Sequence, residues 1–496
     1  MLHSDAPTSQ LLPKGRSTLV IIQLAGINFV TSFSGGLIVV ALPAISASLD
    51  LQRSLMLWPM SAYALTTASC LLPAGAVADI LGTRVVNLVG CFFIASFILI
   101  AGFARTGLQL IMFRAMQGIA AALALPSALS IISGSIESGK RRNVAFATLG
   151  LAMPLGYSFG VVLGGVFVTG PGWRVGFYVG GAVTFLLFAV GIWALPTEDA
   201  SNRPELSLWK RLAREVDWVG ATIASASIAL LSYVLATLSA STDNIKKASN
   251  VIVLTLSIAL MPAFVYWMKR QERLGKPALI PNSLWKSLTF TCICIVVLLS
   301  NAVADAGELF ASLFFQEVQN LSALQASIRI LPNVVLGIVT NLSTGVFVNK
   351  MPVVYAVFTS CALCAISPLL MAIINPAWPY WYDAFFAQLL GPIAADVIFT
   401  VGILIISDVF PARTQALAGA VFNALSQLGT SVGLCITQVV SVAVTRGSDH
   451  DIKPSDETLL AGYRATFWTL FAWMLAACFI GAFGLRKVGK VGEKRD

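Results

Sequence analysis

Fourteen stretches of roughly 20 mostly apolar residues follow one another along this chain, and nothing constrains its fold more. They lie at 18–45, 57–78, 85–104, 107–134, 145–168, 176–195, 218–239, 251–268, 288–315, 326–348, 353–374, 384–407, 416–444 and 464–485. About 20 residues, at about 1.5 Å each, cross the roughly 30 Å of hydrocarbon in a bilayer. With 57% hydrophobic and 11% charged residues, the chain falls outside the range of soluble domains. The expected fold class is an all-α integral membrane protein with 14 transmembrane helices.

Lysine and arginine resist translocation and collect on the cytoplasmic side. With a cytoplasmic N-terminus, roughly 22 of the 32 basic residues fall in inside segments and roughly 8 in outside ones. Both termini are therefore expected in the cytoplasm. The net charge of +9 is accounted for by a basic inner surface against anionic lipid, so no nucleic acid is implied. The N-terminal segment lacks the compact apolar core and cleavage site of a signal peptide.

Enzymatic chemistry finds little support. His3 and His450 are the only histidines and lie in polar segments, so neither can serve as a base or metal ligand within the membrane. No GxxxxGK[ST] sequence is present to cradle ATP. All eight cysteines fall inside spans, and the CALC pair at 361–364 reads as small packing residues. No metal, cofactor or disulfide framework is expected. Of two sequons, Asn341 is inside a span, and Asn320 lies in an outside loop as the glycosylation candidate.

Weak internal repetition divides the chain. GAVADILGTR at 75–84 pairs with TGVFVNKMP at 344–352 at an offset of 270, placing Asn349 where the first copy has Asp79. GIAAALALPSALSIIS from Gly118 pairs with GPIAADVIFTVGILIIS from Gly391, and GYSFG at 156–160 pairs with GTSVG at 429–433, both at 273. The expected organisation is a tail at 1–17, a six-helix bundle at 18–196, a linker with two inserted spans at 197–287, a second six-helix bundle at 288–485 and a tail at 486–496. The inside loops around the insert are charged, proline-bearing and expected to be partly amphipathic. Two bundles facing across a midplane site suit alternating access.

Ionisable residues inside spans are costly and mark function by default. Candidates for proton coupling are Arg114, Asp305, Glu308 and Asp396. Asp305 and Glu308 are three positions apart and share a helical face, an arrangement suited to carrying a proton. A static ion pair with Arg114 or Arg329 is the open alternative. Gly156, Gly160, Gly164 and Gly165 clear one face of the fifth span for close helix approach, and Pro154 precedes them with an expected kink. Gly82 permits the turn between Asp79 and Arg84.

Together these motifs resemble the major facilitator superfamily, and more closely its fungal fourteen-spanner drug:proton antiporter family of the aminotriazole-resistance type. The resemblance covers almost the whole chain. Gly75, Ala78, Asp79, Gly82 and Arg84 are similar to the superfamily's loop motif, Arg114, Gln117 and Gly118 to its fourth-helix motif, and GYSFGVVLGG to its antiporter motif. GPGWRVGFY at 170–178, DWVG at 217–220, FFQEVQNLSALQASIRILP at 314–332 and AGAVFNALSQLGTSVG at 418–433 are similar to the fourteen-spanner pattern. The resemblance implies that Arg114 helps couple proton and substrate, and that Asp79 and Arg84 belong to an inner gate.

Two departures stand out. Val161 replaces the antiporter motif's proline, and FSGGLIVVALP carries Ser34 and Gly36 where the family has an aspartate and a threonine. Adding 273 to position 34 reaches 307, beside Glu308, so an acid on the opposite half is expected to replace the missing one. The reading is a monomeric cell-membrane antiporter, not an enzyme, with protons, a small-molecule substrate and the bilayer as partners. It exports small amphipathic compounds such as drugs or secondary metabolites. Transport of a nutrient or small inorganic solute is the alternative. A transport-inactive sensor ranks lower, since only about ten residues follow the last span.

Overall fold

In hydrocarbon a backbone amide has no water to bond, so each apolar stretch must satisfy its own main chain, and each does so as a helix. The computed structural model describes residues 13–52, 55–136, 140–196, 216–240, 245–347, 351–410, 412–445, 456–486 and 488–489. Among them, 14 helices are long and apolar enough to span a membrane. They are α1 (Lys14–Ser48), α2 (Trp58–Leu81), α3 (Thr83–Ala101), α4 (Gly107–Ser135), α5 (Lys140–Thr169), α6 (Trp173–Ala194), α7 (Trp218–Ala240) and α8 (Ala248–Arg273). There follow α9 (Leu288–Leu313, continued by a π turn at Phe314–Val318), α10 (Ala323–Phe347) and α11 (Val353–Ile373). The series closes with α12 (Ala384–Leu390 and Ile393–Val409), α13 (Ala412–Thr445) and α14 (Asp456–Gly484).

The helix ends fall within about five residues of the sequence expectation, except that α14 begins at Asp456 where 464 was expected, and the twelfth span changes character. The twelfth span is broken at Gly391 and Pro392, and the helix restarts with the Asp396 amide donating to the Pro392 carbonyl at 3.2 Å. Pro392 has no N–H with which to continue the preceding ladder. Both linkers around the insert were expected to be amphipathic. Residues 197–215 of the first lie outside the described residues, as do both histidines.

α1 packs chiefly on α5 and α2 on α4, while α9 packs chiefly on α13, and α10 chiefly on α5 of the other half and then on α12. The α1–α5 and α9–α13 contacts are built alike. A Cβ on Gly156 or Gly160 would collide with the Phe29 or Phe33 carbonyl, and one on Gly429 or Gly433 with the Leu298 carbonyl or the Ala302 side chain. These contacts fix the repeat register. Gly429 follows Gly156 by 273 positions, but Leu298 follows Phe29 by only 269. The mate of Ser34 is therefore Val303, that of Gly36 is Asp305, and that of Val39 is Glu308. The expected mate at 307 is wrong by one helical turn, because an offset taken from later helices does not carry back across loops of different length.

The two six-helix sets meet through α2–α13, through α5–α10 and, between these, through α1–α9. An even number of crossings puts both termini at one end of the bundle, the terminus end; the other is the far end. Near the far end, Pro43 lacks the N–H that would bond the Val39 carbonyl four residues back. Ser312 Oγ of α9 donates to that carbonyl at 3.1 Å, and Gln316 Nε2 donates to the Val40 carbonyl at 3.1 Å. Gly165 presses on Ser327 of α10 at the same end. Towards the terminus end, by contrast, a Cβ on Gly134, Gly150 or Gly419 would meet nothing within 4 Å.

The inserted α7–α8 hairpin leans on α2 and α13. Buried Asp217 holds it together, accepting from the Gly220 amide at 2.9 Å, from Trp267 Nε1 at 3.0 Å and from the Leu279 amide at 3.4 Å.

Candidate functional site

Arg114 stands two turns into α4 from its far-end start, 1% exposed. Its Nη1 donates to Ser34 Oγ at 3.0 Å and to Gln117 Oε1 at 2.6 Å, and its Nε to the Pro59 carbonyl at 3.1 Å. Gln117 Nε2 also donates to Ser34 Oγ, at 3.0 Å, and the Tyr63 ring lies 4.6 Å beneath the guanidinium. A full charge is thus held in a membrane by neutral acceptors and an aromatic face. Ser34, where an acid was expected, is the hydroxyl that joins the cluster.

The acids occupy the other half. Half-buried Asp305 accepts from Thr430 Oγ1 of α13, and buried Glu308 lies one turn further along α9. Tyr157 reaches Glu308 from α5, its ring passing 3.9 Å from where a Gly35 Cβ would stand. The Tyr157 hydroxyl and Glu308 Oε1 are both buried without a well-formed hydrogen bond. Among the described residues, neither Arg114 nor Arg329 pairs with these acids, so the static ion-pair alternative finds no contact to support it. Tyr157 and Thr430 hold the same place in GYSFG and GTSVG, 273 positions apart, and both face α9 acids.

Asp396 stands apart from that pair, in the first turn after the α12 break. It accepts from the Asn341 side chain, and its Oδ2 lies 3.3 Å from where a Gly337 Cβ would be. Arg329 is at the far end, bonded to Gln319 Oε1 and stacked on Phe315 and Tyr380. Burial pushes the Tyr380 phenol up to about 12, against the opposing pull of Arg329.

The residues expected to form a gate sit at the terminus end. Gly82 has φ +100°, a conformation that favours glycine. Arg84 Nη2 caps α6 by donating to the Ile192 carbonyl at 2.6 Å, and Arg16 Nε does the same at Ala194 at 3.0 Å. Gly75 faces Pro126 with room for a Cβ at 3.9 Å, so nothing in its own half demands glycine there. The Asp79 side chain and Asn349 lie outside what is described. The glycines of the fifth span divide their contacts, with Gly156, Gly160 and Gly164 against α1 and Gly165 against α10. Exposed Asn320 adopts φ +54° just beyond the π turn.

Sequence reasoning missed Tyr157, Thr430, Ser312 and Gln316. Available signals were the bulky polar residue inside each glycine motif, and the run 305, 308, 312, 316 that puts four polar side chains on one face of α9.

Comparison with known proteins is consistent with this architecture. The Major Facilitator Superfamily description matches residues 24–434. MFS-type transporter 1 of Pyricularia oryzae is 40% identical over 97% of this chain and 86% of its own length. The aminotriazole resistance protein of Saccharomyces cerevisiae is 25% identical over 85% of this chain and 75% of its own. Among solved structures, a bacterial homolog of the human lysosomal transporter Spinster, inward-facing and unoccupied, superposes with TM-score 0.67 at 16% identity. It covers 96% of this chain and 98% of that one.

Proposed function

Because this chain belongs to the Major Facilitator Superfamily and is a multi-pass membrane transporter, we propose that it is a proton-coupled antiporter exporting small amphipathic compounds. The observation that carries the reading is the C-half acid pair. Glu308 is 9% exposed, lacks a cationic partner and lies where α9 meets the other half, so it can lose or gain a proton when the halves move. Arg114 holds the fixed positive charge across the same interface. Export rather than uptake is supported by the name of the resistance relative. The distribution of basic residues supports a cytoplasmic terminus end, and the cell membrane is the proposed location.

The far-end contacts then describe a state closed to the outside. Gly75, uncrowded here, is free to receive the other half when the inner side closes, with Asp79 and Arg84 beside it. Purified protein in liposomes with an imposed proton gradient tests the reading, using ethidium and rhodamine 6G as amphipathic probes. Expected is probe movement against the gradient, abolished by a protonophore and by Glu308→Gln. Equal gradient-driven transport by Glu308→Gln would sink the coupling assignment.

A further inference from the structure

Behind Glu308, away from the other half, lies a cavity of about 20 Å³, room for one water. Glu308, Asn333 of α10, Ser367 of α11 and Gln388 of α12 line it, enough polar groups to hold that water. Apolar groups, among them Pro368 and Met371 of α11 and Phe467 of α14, make up most of the remaining wall. Glu308 Oε1 is buried and lacks a partner. Asp305 from α9 and Tyr157 from α5 are its titratable neighbours, and Cys364 is the other titratable group on the cavity wall.

The cavity abuts the break in α12. Gly391 stands on its wall with Asn333 Nδ2 and Ser367 Oγ close by, and Cys364 Sγ donates to the Gly391 carbonyl at 3.1 Å. From the level of the break downward, Asn333, Gly337 and Asn341 fall on one face of α10 at successive turns, and Gly337 and Asn341 meet Asp396. Gly337 leaves the Asp396 carboxylate the space a side chain would fill. From Gln388 to Asp396 the polar face descends about 12 Å towards the terminus end.

We propose that this cavity is a one-water relay site serving Glu308, with Asp396 as the acid that exchanges protons between it and the terminus end. The proposal rests on the coupling role of Glu308. In each transfer an O–H bond forms at Glu308 as one breaks on the water, the water regains an O–H bond as the one on Asp396 breaks, and Asp396 is reprotonated from the terminus end. Reversal returns the proton, and no co-reactant is required. The path runs within one half, so it stays intact while the halves move apart.

The test is time-resolved infrared spectroscopy of the purified full chain in detergent after a pH jump. The probe is the proton itself, and the Glu308 carboxyl band is identified by its loss in Glu308→Gln. Expected is protonation slowed by about tenfold in Asp396→Asn and in Ser367→Leu, which fills the cavity, with the band's pH midpoint little changed. Asp396→Asn, a substitution of nearly equal volume, guards against misfolding of the filled variant. Unchanged rates in both variants would overturn the relay while leaving Glu308 as coupling acid. No titrating band lost in Glu308→Gln would overturn both.

Discussion

The cores of the two halves are built on one helix scaffold and carry opposite chemistry. In the first, α4 delivers a buried arginine to a serine, a glutamine and a tyrosine face; in the second, α9 delivers two carboxyl groups to a threonine and to a tyrosine from across the interface. The glycine contacts beneath them have the same register in each pair. Backbone packing is thus the shared inheritance, and charge is what each half has made its own. Helix association in lipid depends on close packing, whereas the identity of a buried charge depends on a few local partners.

The largest expected effect tests the shared part. Gly156→Leu and Gly429→Leu each drive a side chain into a neighbouring carbonyl and should destabilise the protein by about 3 kcal/mol, read as a fall in thermal midpoint in detergent. If only one variant suffers, the two scaffolds are not equivalent.

Next comes the fixed cation. Arg114→Leu leaves Gln117 Oε1 and the Pro59 carbonyl without this donor and removes one of the two donors to Ser34 Oγ, costing about 2 kcal/mol and all gradient-driven transport. Arg114→Lys should restore stability better than transport, because an ammonium cannot serve those acceptors in one plane. Full transport by the lysine variant would reduce Arg114 to a bare charge.

A third variant moves the acid back across the interface. Ser34→Asp sets a carboxylate beside Arg114, and in the Glu308→Gln background it should recover about a tenth of the lost proton-driven rate. No recovery would show that the two halves' chemistries cannot be exchanged. The smallest effect is expected at the far-end contact, where Ser312→Ala removes one hydrogen bond worth about 1 kcal/mol. Labelling of a cysteine placed at that end should rise about fivefold, while terminus-end labelling falls.

The spans could be read from the sequence because each is an unbroken apolar run of membrane length, and the acids because a charge in such a run is conspicuous. The break at Gly391–Pro392 could not, since Pro43, Pro126 and Pro154 sit inside continuous helices and a proline in a span does not by itself mark a break. Nor could Tyr157 or Thr430 be assigned partners. Uncharged polar residues are common in membrane helices, and what they meet is set by helix rotation. The repeat offset failed between α1 and α9 for a related reason: sequence spacing counts loop residues, whereas packing registers only helix faces.

The Val39 carbonyl has one more implication. It is left unbonded by a proline in its own helix and is taken up by a serine from the opposite half. A main-chain oxygen carries no titratable proton, and no substitution at position 39 can delete it. The seam that seals this end is therefore indifferent to acidity. Descendants of such a chain could relocate their ionisable groups from one bundle to the other without rebuilding the clasp that lets the bundles meet.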